Sequence, residues 1–159
     1  MYILYVSKHI VRHLAEKRNI MTSVSSPATK VRQEFADFLD EARRRPQYIK
    51  RRNYQYIVVS TETFETLVPL CITVKDVTDD NGSHFTENER FPDIIGFGAT
   101  SEEALDSFKE GLVSYSYEYY ERFSYYSLAP GREEHAPMIL RLISHYERFG
   151  NLNEIVTAA

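Results

Sequence analysis

Cysteine and long apolar runs are the two features that this sequence has least of. The 159-residue chain contains one cysteine, Cys71, which excludes an internal disulfide and any zinc site built on paired cysteines. Such a chain suits a reducing compartment, so we expect a cytoplasmic protein. No apolar run approaches the roughly 20 residues that cross a bilayer, and the first apolar patch precedes its basic residues, which is the reverse of a secretory signal. The sequence therefore predicts neither membrane insertion nor export.

Charge is present in quantity but is unevenly distributed. Residues 1–70 contain 12 Lys or Arg and 7 Asp or Glu, a net +5, whereas residues 71–159 contain 7 and 16, a net −9. A basic half can bind a polyanion because contacts to phosphates release counterions, and an acidic half suits a basic protein. The alternative is that both halves only present solvated charge. The asymmetry predicts two modules with different partners.

The first module begins with a short strand and a helix. Residues 22–25 favour a strand, and Ser26 followed by Pro27 is typical of a helix N-cap and first helical position. Positive charge at Arg43–Arg45 suits the negative end of the helix, and Pro46 ends it. The helix shows apolar residues at spacings of three and four, which predict one buried stripe: Val31, Phe35, Phe38, Leu39 and Ala42.

A β-hairpin and a second helix follow. The runs "QYIK" and "QYIVVS" flank "RRNY", where Asn53 tolerates the left-handed backbone of a tight turn, so Arg51 and Arg52 lie at the predicted tip. Phe64, Leu67 and Val68 share one side of the next helix. About fifty residues bury little core, so we expect this module to pair with a second copy.

The second module is predicted to contain three strands and then helices. "CITVKDVT" and "SHFTENERF" flank the hairpin signal Asn81-Gly82, "DIIGFGAT" is a third apolar run, and its "GFG" is interpreted as a strand-to-helix turn. Thr100 and Glu103 form a capping box. The helix that this box begins and the last helix of the chain each show apolar residues at helical spacing: Ala104, Leu105, Phe108, Leu112, Tyr115 and Tyr119, then Ile139, Leu142, Ile143 and Tyr146.

Residues 24–68 resemble the Phd/YefM antitoxins. The shared pattern comprises an arginine in the first helix, an "I-x-R-x-N" hairpin and an "S-x-E-x-F-x-x-L" helix, with Tyr54 as a departure. The resemblance implies a homodimer that binds operator DNA and represses its own operon, with a toxin bound elsewhere on the chain. The matching residues are Arg32, Ile49, Arg51, Asn53, Ser60, Glu62, Phe64 and Leu67.

The DNA-binding prediction combines that resemblance with local charge. Arg32 and Arg51 fall where the Phd/YefM pattern has DNA-contacting arginines, and Arg suits bidentate contact to guanine. The predicted contact set is Lys30, Arg32, Lys50, Arg51 and Arg52. Charge alone favours a solvated hairpin tip, and it is the resemblance that favours DNA. A dimer would present two tips to a palindromic site.

Residues 72–113 resemble HicB-like antitoxins. The string "FPDIIGFGATSEEAL" carries the likeness, through Pro92, Gly98, Thr100 and the residues 102–105. The resemblance implies a partial RNase H-like fold without catalysis that neutralises a small RNA-cleaving toxin. The Tyr-rich segment at 115–126 departs from the pattern and is either a core stripe or a dimer or toxin surface.

No metal or cofactor is expected. Asp76, Asp79, Asp80 and Glu87 are candidates for a magnesium site, but they cluster at a predicted turn, which makes polar turn residues the better interpretation. His9 and His13 have helical metal spacing, yet surface histidines are the simpler interpretation.

The sequence thus predicts an α+β chain. It comprises an extension at residues 1–20, a small Phd/YefM-like β-α-β-β-α module at 21–70, and a HicB-like β-β-β-α module with a C-terminal helix at 71–159. The predicted function is a non-enzymatic antitoxin that binds a protein toxin and operator DNA. The alternative is an interaction module without DNA binding.

Overall fold

The computed structural model of the chain describes residues 25–159, which fall into two compact units. The first unit ends at Phe64 and the second runs from Glu65 to Ala159. The expectations for residues 1–20, including His9 and His13, and most of the predicted strand at 22–25 lie outside the described residues. The predicted module limits 21–70 and 71–159 stay a prediction.

The first unit is a three-stranded sheet with helices. Strand order is β1-β2-β3, with β1 parallel to β2 and β2 antiparallel to β3. The element bounds are β1 Ser25–Pro27, α1 Ala28–Gln33, α2 Phe35–Arg44, β2 Gln47–Arg51, β3 Tyr54–Val58 and α3 Thr61–Leu67, the last of which crosses the boundary between the units.

The start of the first helical region differs from the prediction. Ser26 is not an N-cap, because it pairs with Ile49 inside the sheet, and Pro27 occupies the cap position without a side-chain cap bond. The region is also two helices rather than one, since Glu34 has φ −118° and ψ 40° and breaks the helical backbone. The predicted stripe is buried only in part, since α2 buries Phe38 and Ala42 but not Phe35 or Leu39. The helix end at Arg44, before Pro46, is as predicted.

The hairpin of the first unit is confirmed, with one correction. Arg51 pairs with Tyr54, which leaves a two-residue turn of Arg52 and Asn53. Arg52 rather than Asn53 has the left-handed backbone, with φ 54°. Tight two-residue hairpins require positive φ at the first turn position. Arg52 occupies that position and therefore adopts the left-handed backbone, although Asn53 would tolerate it better.

The second unit is a four-stranded sheet with long helices. Strand order is β6-β5-β4-β7, in which β4 and β7 are parallel and the other pairs antiparallel. The element bounds are β4 Ile72–Thr78, β5 His84–Glu87, β6 Ile95–Gly98, α4 Ser101–Glu121, α5 Phe123–Tyr126, α6 His135–Phe149 and β7 Val156–Ala158. Strand β7 had no counterpart among the predicted elements.

Glycines let α4 lie directly on β6. A Cβ at Gly96 would stand 2.0 Å from the backbone oxygen of Ala104, and one at Gly98 would stand 2.5 Å from the Ala104 nitrogen. The "GFG" motif is therefore part of a strand, which corrects its interpretation as a turn. The capping box is confirmed, because Thr100 Oγ1 accepts from the Glu103 amide at 3.2 Å, while Glu103 Oε2 accepts from the amide of Ala99 at 2.8 Å.

The core of the second unit lies between this sheet and the faces of α4 and α6. The predicted α4 stripe is buried at Ala104, Phe108, Leu112 and Tyr119. Strand β7 adds Val156, which pairs with Ile72. The cluster of buried apolar residues is Ile72, Val74, Phe91, Ile94, Phe108, Leu112, Tyr119, Ile139, Leu142, Leu152, Ile155 and Val156. None of the helices between residues 25 and 159 is both long and apolar enough to span a membrane.

Candidate functional site

Two parts of the predicted DNA-contacting region, the hairpin turn and the start of α1, lie at one end of the first unit's sheet. Pro27 pairs with Lys50 in the parallel β1–β2 ladder, so α1 begins level with the hairpin turn that follows β2. Lys30 and Arg32 lie on α1, a helix about 9 Å long by the usual rise per residue. The hairpin turn and the start of α1 therefore occupy the same end of the sheet.

The five predicted residues do not all face the same way. Successive strand residues point to opposite faces, and Arg51 shares its face with Ile49 and Gln47. Gln47 lines one groove together with Lys30 and other helix residues, so this is the face that the helices cover. Lys50 points to the opposite face.

Four of the five predicted DNA-contacting residues have no acidic partner within residues 25–159. Lys30 forms an exposed ion pair with Glu34 at 3.8 Å. Within residues 25–159, Arg32, Lys50, Arg51 and Arg52 form no ion pair, and all are exposed on the surface. Exposed, unpaired guanidinium groups are the form in which arginine contacts phosphates or base edges.

The basic stretch Arg43–Arg45 lies elsewhere. It ends α2 and precedes β2, so it lies at the sheet end opposite the hairpin turn, roughly 17 Å away for a five-residue strand. Glu41 contacts Arg44 Nη1 at 3.1 Å and Arg45 Nε at 3.5 Å. This cluster is partly neutralised locally and is separate from the hairpin end.

Apolar side chains remain exposed on the first unit. Phe35 and Leu39 of α2 were predicted to join the buried stripe, yet they are 56% and 42% exposed. Ile57, on the sheet face away from the helices beside Tyr48, is 61% exposed. Only Val31, Phe38 and Ala42 are buried apolar residues among positions 25–64. Residues 25–64 therefore leave more large apolar side chains exposed than they bury.

The acidic residues near the β4–β5 hairpin have structural roles. Asp79 Oδ1 accepts from the amides of Asn81 and Ser83 at 2.9 and 2.8 Å, which shapes the turn. Asp76 contacts His84 Nδ1 at 3.1 Å, and a hydrogen bond with Ser101, more than His84, lowers the pKa of Asp76. Between residues 25 and 159, no three His, Cys, Asp or Glu side chains could jointly hold a metal ion.

The Tyr-rich segment is divided between core and surface. Tyr115 and Tyr119 surround Arg132, whose Nη1 donates to Tyr115 Oη at 3.1 Å while its backbone oxygen accepts from Tyr119 Oη at 2.8 Å. Arg132 also pairs with Asp93 and lies 5.6 Å from the ring of Tyr126. Burial raises the pKa of both Tyr115 and Tyr119, so these phenols stay protonated. This cluster attaches the loop before α6 to α4.

A buried histidine lies on α6. His145 is 2% exposed, and neither ring nitrogen has a hydrogen-bond partner among the described residues. Burial, followed by the positive charge of Arg141, lowers the pKa of His145. Arg141 itself pairs with Glu65 at 3.1 Å, so its charge is held beside the helix. Sequence spacing did not single out this residue, since nothing local distinguishes a buried from an exposed histidine.

Comparisons with known proteins agree with this architecture. Residues 21–156 match the model of the PHD-like family, described as an antitoxin of toxin–antitoxin, RelE/RelB, TA system. The match runs through both units, and the chain belongs to this antitoxin family. The class is therefore an antitoxin of a toxin–antitoxin system, as the sequence predicted, and a toxin partner follows from it.

A solved structure has the same fold. It is a crystal structure of an antitoxin part of a toxin/antitoxin system from Syntrophomonas wolfei subsp. wolfei, similar with a TM-score of 0.74 and 24% identity over 87% of this chain and 99% of that one. No curated protein shows significant similarity to the chain. The assignment of the halves to Phd/YefM-like and HicB-like folds stays a prediction.

Proposed function

We propose that this antitoxin represses its own operon by binding operator DNA through the hairpin end of its first unit. The observation that carries the proposal is the convergence of the hairpin turn with the start of α1 at one end of the sheet. Arg32 of α1 and the hairpin residues Arg51 and Arg52 are exposed and have no ion-pair partners among the described residues. Lys50 faces away from the helices and is assigned to a flanking phosphate contact.

A homodimer completes the DNA-binding unit. Residues 25–64 bury three apolar side chains and leave Phe35, Leu39 and Ile57 exposed, so we expect a second copy to bury these exposed groups. Two-fold symmetry would then present two hairpin ends to a palindromic operator. The second unit would bind and block the toxin, which is expected to be a small basic RNA-cleaving protein, and no catalytic or cofactor role is proposed for the chain.

The decisive experiment is a gel shift with the DNA upstream of the antitoxin's own reading frame. Arg32→Ala combined with Arg51→Ala should weaken binding at least tenfold and flatten the salt dependence, since each lost phosphate contact reduces the slope of log K against log salt by about 0.9. The matched control is Arg43→Ala combined with Arg45→Ala, which removes equal charge from the opposite end of the sheet.

Two results would contradict the assignment. Equal losses from both double variants would mean that only total charge matters, and an unchanged shift in the first variant would remove the hairpin end from the interface. A wild-type chain that shifts no upstream DNA but still binds the product of the neighbouring reading frame would favour the alternative, an antitoxin that works through protein contacts alone.

A further inference from the structure

Apolar and aromatic side chains are exposed at the end of α4, in α5 and just after α5. Tyr120, Tyr125 and Leu128 are 56%, 69% and 82% exposed, and Phe123 is 36% exposed. Exposed apolar groups that cluster within one short segment mark an interaction site more often than scattered ones do. We call these four residues the Tyr120–Leu128 surface.

The Tyr120–Leu128 surface rests on a packed aromatic base. The rings of Tyr119 and Tyr126 stack with centroids 5.2 Å apart. The ring of Phe123 lies edge-on to Tyr119 at 5.8 Å, and that of Tyr125 lies edge-on to Tyr126 at 5.3 Å. Because the exposed rings already pack against the buried Tyr119 and the partly buried Tyr126, they lose less conformational entropy when a partner binds, which favours aromatic residues as interface anchors.

The surroundings of this surface are acidic. The stretch 118–134 contains four glutamates and two arginines, and both arginines are engaged within the chain: Arg122 with Glu118 at 3.6 Å and Arg132 with Asp93. Glu121 forms no ion pair among the described residues. The C-terminal end of the 21-residue helix α4 lies here and adds the negative end of its dipole. Tyrosine faces attract cations as well.

We propose that the Tyr120–Leu128 surface is where the toxin binds, through a face of the toxin that bears lysine and arginine side chains. The inference rests on the proposed neutralisation of a toxin by direct contact. Charge complementarity favours such a partner, because an enzyme that cleaves RNA must present positive charge to phosphates. A second copy of this chain fits poorly, since a two-fold interface would bring the same glutamates together.

The test uses the full-length chain and the purified product of the neighbouring reading frame of its operon. Tyr125→Ala combined with Leu128→Ala should weaken binding at least tenfold in titration calorimetry while lowering the melting temperature only slightly, because both side chains are mostly exposed and only the edge contact of Tyr125 with Tyr126 is lost. The matched control is Ile95→Ala combined with Phe97→Ala, two side chains on the exposed face of the sheet of the same unit, 47% and 57% exposed. The control should bind as wild type does.

A charge variant separates attraction from packing. Glu121→Lys should slow association about three- to tenfold, with the difference shrinking as salt is raised, because long-range steering is screened. Wild-type affinity in the Tyr125/Leu128 variant would overturn the proposal, as would loss of binding only in the Ile95/Phe97 variant. If the Tyr125/Leu128 variant lost self-association in sedimentation but kept its affinity for the toxin, the surface would be assigned to a second copy of the chain. That result would also overturn the proposal.

Failure of the proposed toxin neutralisation can be distinguished from failure of the surface assignment, because the first is seen in the wild-type chain itself. If the wild-type chain neither binds the neighbouring gene product nor relieves its toxicity in a growth assay, then neutralisation by direct contact fails, and this surface assignment fails with it. If wild type binds and rescues growth while the Tyr125/Leu128 variant does so equally well, only the surface assignment is wrong.

Discussion

The two units of this antitoxin bury apolar surface to very different extents. The second unit encloses a continuous cluster that includes Phe108, Tyr119 and Leu142, each 1% exposed or less. Residues 25–64 of the first unit bury Val31, Phe38 and Ala42 and leave larger apolar side chains in contact with solvent. Small domains bury a smaller fraction of their surface and depend more on partners. The comparison predicts that the second unit depends on its own core for stability, whereas residues 25–64 would gain from association with a second copy, as proposed above.

The largest expected effect comes from the core of the second unit. Phe108→Ala removes a ring with no exposed surface and should lower the free energy of unfolding by about 3–5 kcal/mol. The paired variant Phe38→Ala in the first unit should cost less, because fewer neighbours enclose that ring. Urea unfolding followed by circular dichroism measures both. Equal losses would contradict the difference between the units.

The second prediction concerns association of the first unit. Phe35→Glu combined with Leu39→Glu places charge on the exposed side of α2 and should raise the dimer dissociation constant at least tenfold, since apolar contact is replaced by repelling carboxylates. Sedimentation velocity across a concentration series measures the change. A matched control, Leu67→Glu, alters another exposed leucine of α3 and should leave the dimer intact.

The third prediction distinguishes the units by pH. Residues 25–64 contain no histidine, whereas the second unit buries His135 and His145, and burial lowers the pKa of each. A depressed histidine pKa means that the unfolded state takes up protons more readily, so stability is full above pH 6.5 and falls as the pH drops below that value. His145→Leu should reduce this loss between pH 7 and pH 5.

Thermal melts at several pH values check the third prediction. The variant should be as stable as wild type or more stable at pH 7, because neither nitrogen of His145 has a partner among residues 25–159. A melting temperature that falls with acid as steeply in His145→Leu as in wild type would show that other groups dominate.

The smallest effect is expected at the hairpin turn. Arg52 has φ 54°, a conformation that costs a side-chain-bearing residue about 1 kcal/mol and glycine almost nothing. Arg52→Gly should therefore stabilise the first unit slightly, by less than about 1 kcal/mol after the entropy of glycine is counted. The same variant should weaken operator binding, so stability and affinity should move in opposite directions. Parallel changes would contradict the role proposed for this residue.

Local signals in the sequence predicted much of the fold. The capping box at Thr100 and Glu103, the buried stripe of α4 and the hairpin around Arg52 were all readable, because each is determined by residues a few positions apart. The helix break at Glu34 was not, since no proline or glycine marks it. Strand β7 was missed because its pairing with β4 joins distant parts of the chain.

The candidate sites were less predictable than the elements. The sequence identified the arginines of the hairpin end, but which of Lys50 and Arg51 lies on the face that the helices cover required the contacts between helix and sheet. The Tyr-rich segment was recognised as unusual, yet its division into buried and exposed rings depends on Arg132, which the chain brings back from a loop after α5. Long-range contacts of this kind leave no periodic pattern in the sequence.

The parallel pairing of β4 with β7 bears on how the antitoxin is made. Ile72 meets Val156 only after the ribosome has synthesised nearly all of the second unit, so its sheet cannot close until late in translation. Residues 25–64 will have emerged several seconds earlier at about 5–20 residues per second. If the chain has the two activities proposed above, a nascent chain would be able to engage DNA or a sister chain before its second unit can bind a toxin. The order of synthesis would then set the order in which these proposed activities arise.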